Sequence, residues 1–333
     1  MRMFCLLLAL VLTPVLSHAA DASIDSTAAL KKARSLRPYV SENQPALLWA
    51  QFAPSMKDAM GDSTRFAAAL DGIHAQVGKI LEVTQEDLLQ DHGVWVYRAF
   101  CKFENTDDPL MLMIALSSEG KIAGLAVRPQ PKEYASTKLD YVNKTLLQLP
   151  FRGQWYVVWG GNTIAENYHA TSKSQRFALD LVIRKGGSSY AGDGKKLTDY
   201  YCFGADILAP AAGRIVWSCD SLPNQQPGRM DSKNPVGNGI IIDHGNGEFS
   251  VLAHLQPNTQ RFKVGDSVKA GDVLGKCGSS GNTSEPHLHF HLQNSPDLEA
   301  AEGLPITFRG ICVDGKKVET AQPVRRQSIK RCP

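Results

Sequence analysis

Three histidines occupy alternate positions of one short apolar segment in the C-terminal half of the chain. His287, His289 and His291 lie in the sequence PHLHFHL. In a β-strand, alternate side chains leave the same face roughly 6–7 Å apart. Two such imidazoles can converge on one metal ion, or one can bind the metal while its neighbour contacts water there. Because neutral imidazole is a usual ligand for divalent ions of borderline softness, the segment indicates a metal site.

Two upstream residues are candidates for completing this site. Asp180 stands in the apolar stretch RFALDLV, where an unpaired charge is costly unless a metal or a partner neutralises it. His169, eleven residues earlier, can fold back beside it. The alternative is that Asp180 pairs with Arg176 or Arg184 and that the histidines are scattered polar residues. A catalytic zinc site needs three protein ligands and an open position, and the sequence has no H-E-x-x-H motif, which excludes a thermolysin-like site.

The stretch from Phe203 to Leu292 resembles the lysostaphin- or LytM-type zinc metallopeptidases, which cut peptidoglycan cross-bridges. The matching segments are FGADILAPAAGRIV, GNGIIIDHGNGEFSVLAHL and VGDSVKAGDVLGKCGSSGNTSEPHLHF, in the order of the family. The most specific element is HLHF after a G-x-S-G-N turn. With the upstream His/Asp segment, the similarity extends over most of residues 160–295. It implies a twisted antiparallel β-sheet with a groove over one zinc ion.

The resemblance also implies roles by position. Asp180 and His289 correspond to two zinc ligands. His287 corresponds to the catalytic histidine that accepts a proton from the attacking water. His254, in LAHL, corresponds to the other active-site histidine, which orients water and stabilises the developing oxyanion.

The first zinc ligand departs from a common pattern of the family. Many members have H-x-x-x-D, and this spacing places Arg176 where the histidine should be. Arginine stays protonated and cannot serve as a neutral ligand. The longer spacing from His169 to Asp180 resembles the beta-lytic branch of the family, so His169 is the expected first ligand. His244 and His291 correspond to no family role, and structural roles are expected for them.

The resemblance implies an exported zinc endopeptidase with one Zn²⁺ per chain, acting on stem or cross-bridge peptides of bacterial peptidoglycan. Two alternatives remain open. A catalytically inactive adaptor would keep the fold and activate other wall hydrolases, but it should lack metal ligands. A secreted carbohydrate-binding β domain would have incidental histidines and an exposed aromatic platform, for which Trp155, Trp159 and Trp217 are candidates.

The residues that position the site belong to a β-rich region, residues 151–333. Its short apolar segments are separated by glycine, proline and asparagine, which is typical of an all-β antiparallel sheet or sandwich. The sequence IIIDHGNGEFSVLAHL predicts a β-hairpin that turns at DHGNG. The short basic stretch formed by Arg325, Arg326, Lys330 and Arg331 is expected to be a solvated tail.

A different pattern occupies residues 21–130. Up to about Gly78, apolar residues recur every three or four positions, which predicts helices. The period then becomes two, which predicts a meander of strands, so this region is expected to be a small α+β domain. Residues 131–150 are expected to connect the two domains. His74 and His92 are expected to be structural or solvated, and no chemistry is assigned to the α+β domain.

The first 20 residues are typical of an export signal. Arg2 precedes the apolar run FCLLLALVLTPVL, and small residues follow it. The run has about 13 residues, whereas a bilayer-spanning helix needs roughly 20. Cleavage near Ala19 or Ala20 is therefore expected, which would give a periplasmic or extracellular protein without a membrane anchor.

Six cysteines would remain in the mature chain, and an even number in an exported protein indicates disulfides. Two pairs are expected because their members are close in sequence, Cys202–Cys219 and Cys312–Cys332.

Composition excludes several classes of protein. The chain has 333 residues, 43% of them hydrophobic and 21% charged, which suits about two globular domains rather than a disordered chain, a collagen or a coiled coil. Its 36 Lys+Arg and 33 Asp+Glu give a net charge of +3, too little for a dedicated nucleic-acid binder, so no nucleic-acid partner is expected. No feature of the sequence indicates the oligomeric state.

Overall fold

The structure, a computed structural model, describes residues 24–91 and 94–332. The chain divides into two compact units, with the boundary between Gln130 and Pro131. The predicted export signal in residues 1–20 and His92 lie outside the described residues. Within the described ranges, no helix has the length and apolar character that a membrane span requires.

In its described part, the first unit packs four helices against a four-stranded antiparallel sheet whose strands follow chain order. The helices are α1 (Ser26–Ser41), α2 (Pro45–Ala50), α3 (Pro54–Met60) and α4 (Ser63–Val77). The strands are β1 (Ile80–Asp91), β2 (Val94–Phe103), β3 (Leu110–Leu116) and β4 (Ile122–Pro129). Asp25 and Asp62 cap α1 and α4, because their carboxylates accept backbone N–H groups of the first turn. The predicted α+β fold is confirmed.

As far as it is described, the second unit is built on an eleven-stranded sheet, with a separate pair of short strands beside it. The strands are β5 (Trp155–Trp159), β6 (Leu179–Val182), β7 (Asp206–Leu208), β8 (Gly213–Cys219), β9 (Gly239–Asp243), β10 (Phe249–Ala253), β11 (Ser267–Val268), β12 (Val273–Lys276), β13 (Leu288–Gln293), β14 (Gly303–Leu304), β15 (Phe308–Val313), β16 (Lys316–Ala321) and β17 (Ser328–Arg331). The large sheet runs β11-β8-β9-β10-β13-β6-β5-β17-β15-β16, with β14 paired to β13, and β7 pairs with β12. All of these pairings are antiparallel, which confirms the predicted all-β fold. Two 3₁₀ helices, Tyr168–Thr171 and Leu197–Asp199, lie in its connections.

Strand β13 lies between β10 and β6. One of its two faces packs into the hydrophobic core, and the other belongs to the polar face of the sheet. Its even-numbered residues Leu288, Phe290 and Leu292 are fully buried in the core. The odd-numbered histidines and Gln293 leave the opposite face, as the period of two requires. They too are almost completely buried, because neighbouring loops cover this part of the sheet.

Residues 131–150 belong to the second unit and are attached to it by buried polar contacts. The Glu248 carboxylate, which has no exposed surface, accepts hydrogen bonds from the Tyr141 hydroxyl at 2.8 Å and from the Lys144 and Thr145 backbone N–H groups at 2.6 and 2.8 Å. These three bonds hold the segment against the β9–β10 hairpin.

Replacing Glu248 with glutamine is expected to destabilise the second unit by about 1–3 kcal/mol, because the amide can no longer accept from every buried donor. Burial acts to raise the pKa of Glu248, but the hydrogen bonds from Thr145 and Lys144 outweigh it and lower the pKa below the ordinary 4.5. The carboxylate therefore contributes its stability above that value and loses it as the pH falls through the lowered pKa. Urea unfolding of the unmodified chain and of Glu248→Gln, at neutral and at acid pH, measures the difference in the free energy of unfolding.

The matched control is Glu302→Gln. The Glu302 carboxylate accepts from Ser136 and Thr137 of the same segment, but it is only partly buried, so water can replace lost bonds. We expect a smaller shift of the urea midpoint for this variant. An equal shift in both would contradict the role assigned to Glu248.

The C-terminal basic stretch is not a solvated tail, and that expectation was wrong. Strand β17 lies between β5 and β15, and its Ile329 is fully buried in the core. The Arg325 guanidinium lies 4.4 Å from the centre of the Trp159 ring. One apolar residue at an inward position is enough to place a short basic segment inside a sheet, because arginine and lysine side chains can still reach solvent from the strand's other face.

One expected disulfide forms and the other does not. Cys312 on β15 is bonded to Cys332, which directly follows β17. The prediction of a Cys202–Cys219 bond was wrong: both thiols are free. Cys202 is buried and donates to the Pro286 carbonyl, whereas Cys219 ends β8, so closeness in sequence did not bring them together.

Candidate metal centre

Asp180 is at the centre of a buried cluster of imidazoles. It lies on β6 directly opposite His289 of β13, and its Oδ1 is 2.8 Å from His289 Nδ1. Its Oδ2 is 3.0 Å from His169 Nε2. The three residues are at most 5% exposed, and their ligand atoms all lie within 4.8 Å of one another. This is the arrangement of three donors that one small ion requires.

His169 reaches the cluster from the 3₁₀ helix Tyr168–Thr171, which Asn167 holds in place. The Asn167 side chain accepts from the His169 N–H at 3.2 Å and donates to the carbonyls of Gly161 and Ala178 at 3.1 and 3.0 Å. Ala178 directly precedes β6, so the bond ties the helix to the strand that carries Asp180. Asn167 has no exposed surface, and sequence analysis did not identify it, since its role depends on contacts across the loop.

Neither nearby arginine contacts Asp180. The Arg176 guanidinium pairs with Glu133 at 3.2 Å, and that of Arg184 lies 3.9 Å from the centre of the Tyr156 ring. The alternative in which an arginine neutralises Asp180 is therefore wrong. The histidine cluster is what faces this carboxylate.

His287 presents an unpartnered nitrogen to the same carboxylate. Its Nδ1 lies 2.9 Å from the Glu285 carbonyl, which can only accept, so Nδ1 carries the proton and Nε2 has the lone pair when the ring is neutral. Nε2 is buried, has no hydrogen-bond partner and lies 3.5 Å from Asp180 Oδ1. Burial acts to lower the pKa of His287, but the Asp180 charge outweighs it and raises the pKa to about 9. A divalent cation beside Asp180 would oppose this effect and favour the neutral ring.

His254 completes the cluster from the residue after β10. Its ring centre is 4.7 Å from that of His287 and 5.7 Å from that of His289. Its backbone has a φ of 63°, an unfavourable value for a residue other than glycine, and its Nδ1 donates to the Ser280 carbonyl at 2.8 Å. Burial holds the pKa of His254 well below its ordinary value, so the ring is neutral and Nε2 has the lone pair.

The imidazoles of His169, His254 and His289 line a cavity of about 110 Å³. Its walls include Tyr168, Pro235, Val236 and Asn282. The Tyr168 side chain is half exposed, and its hydroxyl lies 3.4 Å from Asp180 Oδ2. A small group entering from solvent can therefore reach the buried imidazoles.

The remaining histidines of this unit differ in their positions. His244 lies apart from the cluster, with Nδ1 2.8 Å from the Ala212 carbonyl and Nε2 2.8 Å from Ser250 Oγ, which fits the expected structural role. His291, by contrast, contacts a candidate ligand, since its Nδ1 is 2.9 Å from His289 Nε2. The alternation of H-x-H-x-H was the signal that could have placed it there.

The three candidate tryptophans do not form the exposed aromatic platform that a carbohydrate-binding domain would need. Trp155 is 1% exposed and stacks on Phe151 with ring centres 4.8 Å apart, as a core residue does. Trp159 and Trp217 are half-buried. These side chains give no support to a carbohydrate-binding surface.

The donors fit a zinc ion. Two neutral imidazoles and one carboxylate are a common catalytic zinc set, and they are buried together here. The unpartnered Nε2 of His287 beside them is the kind of buried polar atom that requires a partner. Zn²⁺ would leave room in its coordination shell for water next to that atom.

Residues 195–301 match the profile of Peptidase family M23. Over these residues the chain is similar to the M23 peptidases. DD-carboxypeptidase/endopeptidase Mpg of Neisseria meningitidis serogroup B is 34% identical over 90 residues, and peptidoglycan DD-endopeptidase ShyC of Vibrio cholerae serotype O1 is 30% identical over 90 residues. Each alignment covers 27% of this chain and 19% of the relative, so the chain spans about a fifth of the length of these curated relatives. Among solved structures, the catalytic domain of lysostaphin from Staphylococcus simulans is 23% identical, with a TM-score of 0.28 over 46% of this chain and 88% of that domain.

These matches confirm the resemblance to lysostaphin- and LytM-type peptidases. The matched M23 region contains His254, His287 and His289 but begins after His169 and Asp180. The structure brings those two upstream residues to the other three through the β6–β13 pairing and the Asn167 loop. The candidate site therefore extends beyond the residues that match the family profile.

Proposed function

We propose that this protein is an exported zinc-dependent endopeptidase that hydrolyses peptide cross-links of bacterial peptidoglycan. The observation that carries the proposal is the buried set of His169, Asp180 and His289 beside the unpartnered Nε2 of His287. Relatives named as endopeptidases support the reaction class, and one of them is named for peptidoglycan. The N-terminal sequence supports export to the periplasm or the exterior.

His169 Nε2, an Asp180 carboxylate oxygen and His289 Nδ1 would hold the ion. Bound zinc would polarise the scissile carbonyl and lower the pKa of water toward about 7. Burial of all three ligands keeps competing water away from them and strengthens their interaction with a cation.

His287 and His254 have complementary tasks in this proposal. His287 accepts the proton of the attacking water at Nε2 and later delivers it to the leaving amine, because its Nδ1–H is already committed to Glu285. The His254 ring lies 4.7 Å from that of His287, with its own Nδ1–H committed to Ser280. Its Nε2 has the lone pair, so it can accept a hydrogen bond from the attacking water and orient that water.

The cavity suits an unbulky peptide. Its volume of about 110 Å³ admits a small side chain next to the cluster, and the half-exposed Tyr168 borders the entrance. Stem and cross-bridge peptides with small residues are therefore the substrates we expect.

We expect the full chain to release soluble peptide-bearing fragments from purified peptidoglycan and to lose this activity on treatment with a zinc chelator. Added Zn²⁺ should restore it, because the chain supplies only three ligands and a general base. Mass spectrometry of the products then identifies the new amino terminus. Cleavage that survives complete zinc removal would contradict the proposal, and so would zinc binding without any cleavage.

A further inference from the structure

A line of hydrogen bonds runs along the polar face of β13, away from the candidate metal centre. His289 Nε2 lies 2.9 Å from His291 Nδ1, and His291 Nε2 lies 2.9 Å from Gln293 Oε1. Gln293 Nε2 donates to the Ser295 carbonyl at 2.7 Å. We call His289, His291 and Gln293 the β13 relay. Its residues are at most 4% exposed, so water does not substitute for these bonds.

The direction of every bond in the relay follows from its last member. The Ser295 carbonyl can only accept, so the Gln293 amide must present its NH₂ group there and its oxygen to His291. That oxygen also only accepts, which requires His291 to carry its proton on Nε2. His291 Nδ1 then has a lone pair and accepts from His289 Nε2–H. His289 Nδ1 is left without the ring proton, on the side of Asp180.

We propose that His291 and Gln293 are positioning residues that fix the tautomer and the ring orientation of His289, so that its Nδ1 lone pair faces the metal position. The inference rests on the proposed function, because only a metal ligand needs this nitrogen to be free of a proton. It assigns a role to His291, which the family pattern leaves without one.

Burial makes the relay effective. With a cation held beside Asp180, reversing the His289 tautomer would set an N–H of His289 against that cation and leave the Nδ1 of His291 without a donor. An unpaired buried polar atom is costly, so the arrangement is strongly biased toward one tautomer. Partners of this kind typically change metal affinity by about 10–100-fold when they are removed.

The first test is the zinc affinity of His291→Phe, measured in the full chain by competition with a chromophoric chelator. We expect a dissociation constant about 10–100-fold higher than that of the unmodified chain. His244→Phe is the matched control, since His244 also makes two hydrogen bonds on this unit but lies apart from the cluster, and it should bind zinc normally. His291→Glu should recover most of the affinity, because a carboxylate also accepts from His289 Nε2–H. Normal binding by His291→Phe, or an equal loss in His291→Glu, would overturn the proposal.

The second test is made on the unmodified chain, so it can be carried out even if His291→Phe fails to fold. Nitrogen-15 chemical shifts of the histidine rings in the zinc-free full chain report which nitrogen of His291 carries the proton. We expect Nε2–H with an unprotonated Nδ1, and the opposite tautomer would overturn the relay. Failure of the unmodified chain to bind zinc would instead refute the proposed function, so the two failures are distinguishable.

Discussion

Replacing His287 with alanine is expected to leave zinc bound and to lower kcat on a cross-bridge peptide by about 10²–10⁴-fold, the usual contribution of a general base. The ligand atoms of His169, Asp180 and His289 do not depend on His287 for their positions, since β6, β13 and the Asn167 loop hold them. The substitution removes the buried Nε2 of His287 that faces the cluster. Metal analysis and peptide-cleavage kinetics of the same preparation measure both parts of this prediction.

His244→Ala is the control for the loss of one histidine from the sheet. It should keep both the metal and the full turnover, because its two hydrogen bonds lie outside the cavity. Full activity in His287→Ala would show that another group accepts the proton. Loss of zinc from that variant would instead make His287 a ligand, a possibility that its grouping with His254 and His289 within 4.8 Å makes worth measuring.

Replacing Asp180 with asparagine is expected to abolish both zinc retention and cleavage. The substitution keeps the size of the side chain but removes the negative charge that neutralises the ion and contacts two imidazoles. A side-chain amide is not among the usual protein ligands of zinc, which are cysteine, histidine and the carboxylates. Zinc content after dialysis and wall digestion are the measurements.

Glu248→Gln supplies the matched control, because it removes a second buried carboxylate from the same unit without touching the cluster. It should retain zinc at temperatures below its unfolding transition. A zinc-binding, active Asp180→Asn protein would refute the assignment of Asp180 as a ligand, and zinc loss in both variants would show only that the unit had been destabilised.

The sequence predicted the parts of the site that local periodicity controls. Alternation along PHLHFHL placed His287, His289 and His291 on one face, and the isolated charge in RFALDLV marked Asp180. The β9–β10 hairpin followed from residues that favour its turn. These features depend on residues within a few positions of one another, so they can be predicted from the sequence alone.

Contacts between distant segments were not predictable in this way. The Asn167 side chain positions His169 through the Gly161 and Ala178 carbonyls, which no spacing rule identifies. The direction of the β13 relay depends on the Ser295 carbonyl, a backbone group. Strand β17 was missed because its sequence is mostly basic, although its pairing with β5 and β15 decides its place.

The pairing of β6 with β13 has a consequence for how the length of this chain can vary. Asp180 and His289 are direct cross-strand neighbours, and every odd-numbered position of β13 lies on their face. Inserting or deleting one residue within β13 would turn the histidines into the core and bring Phe290 and Leu292 to the polar face. Related sequences should therefore keep a constant count of residues within these two strands, while the connections around them lengthen and shorten freely.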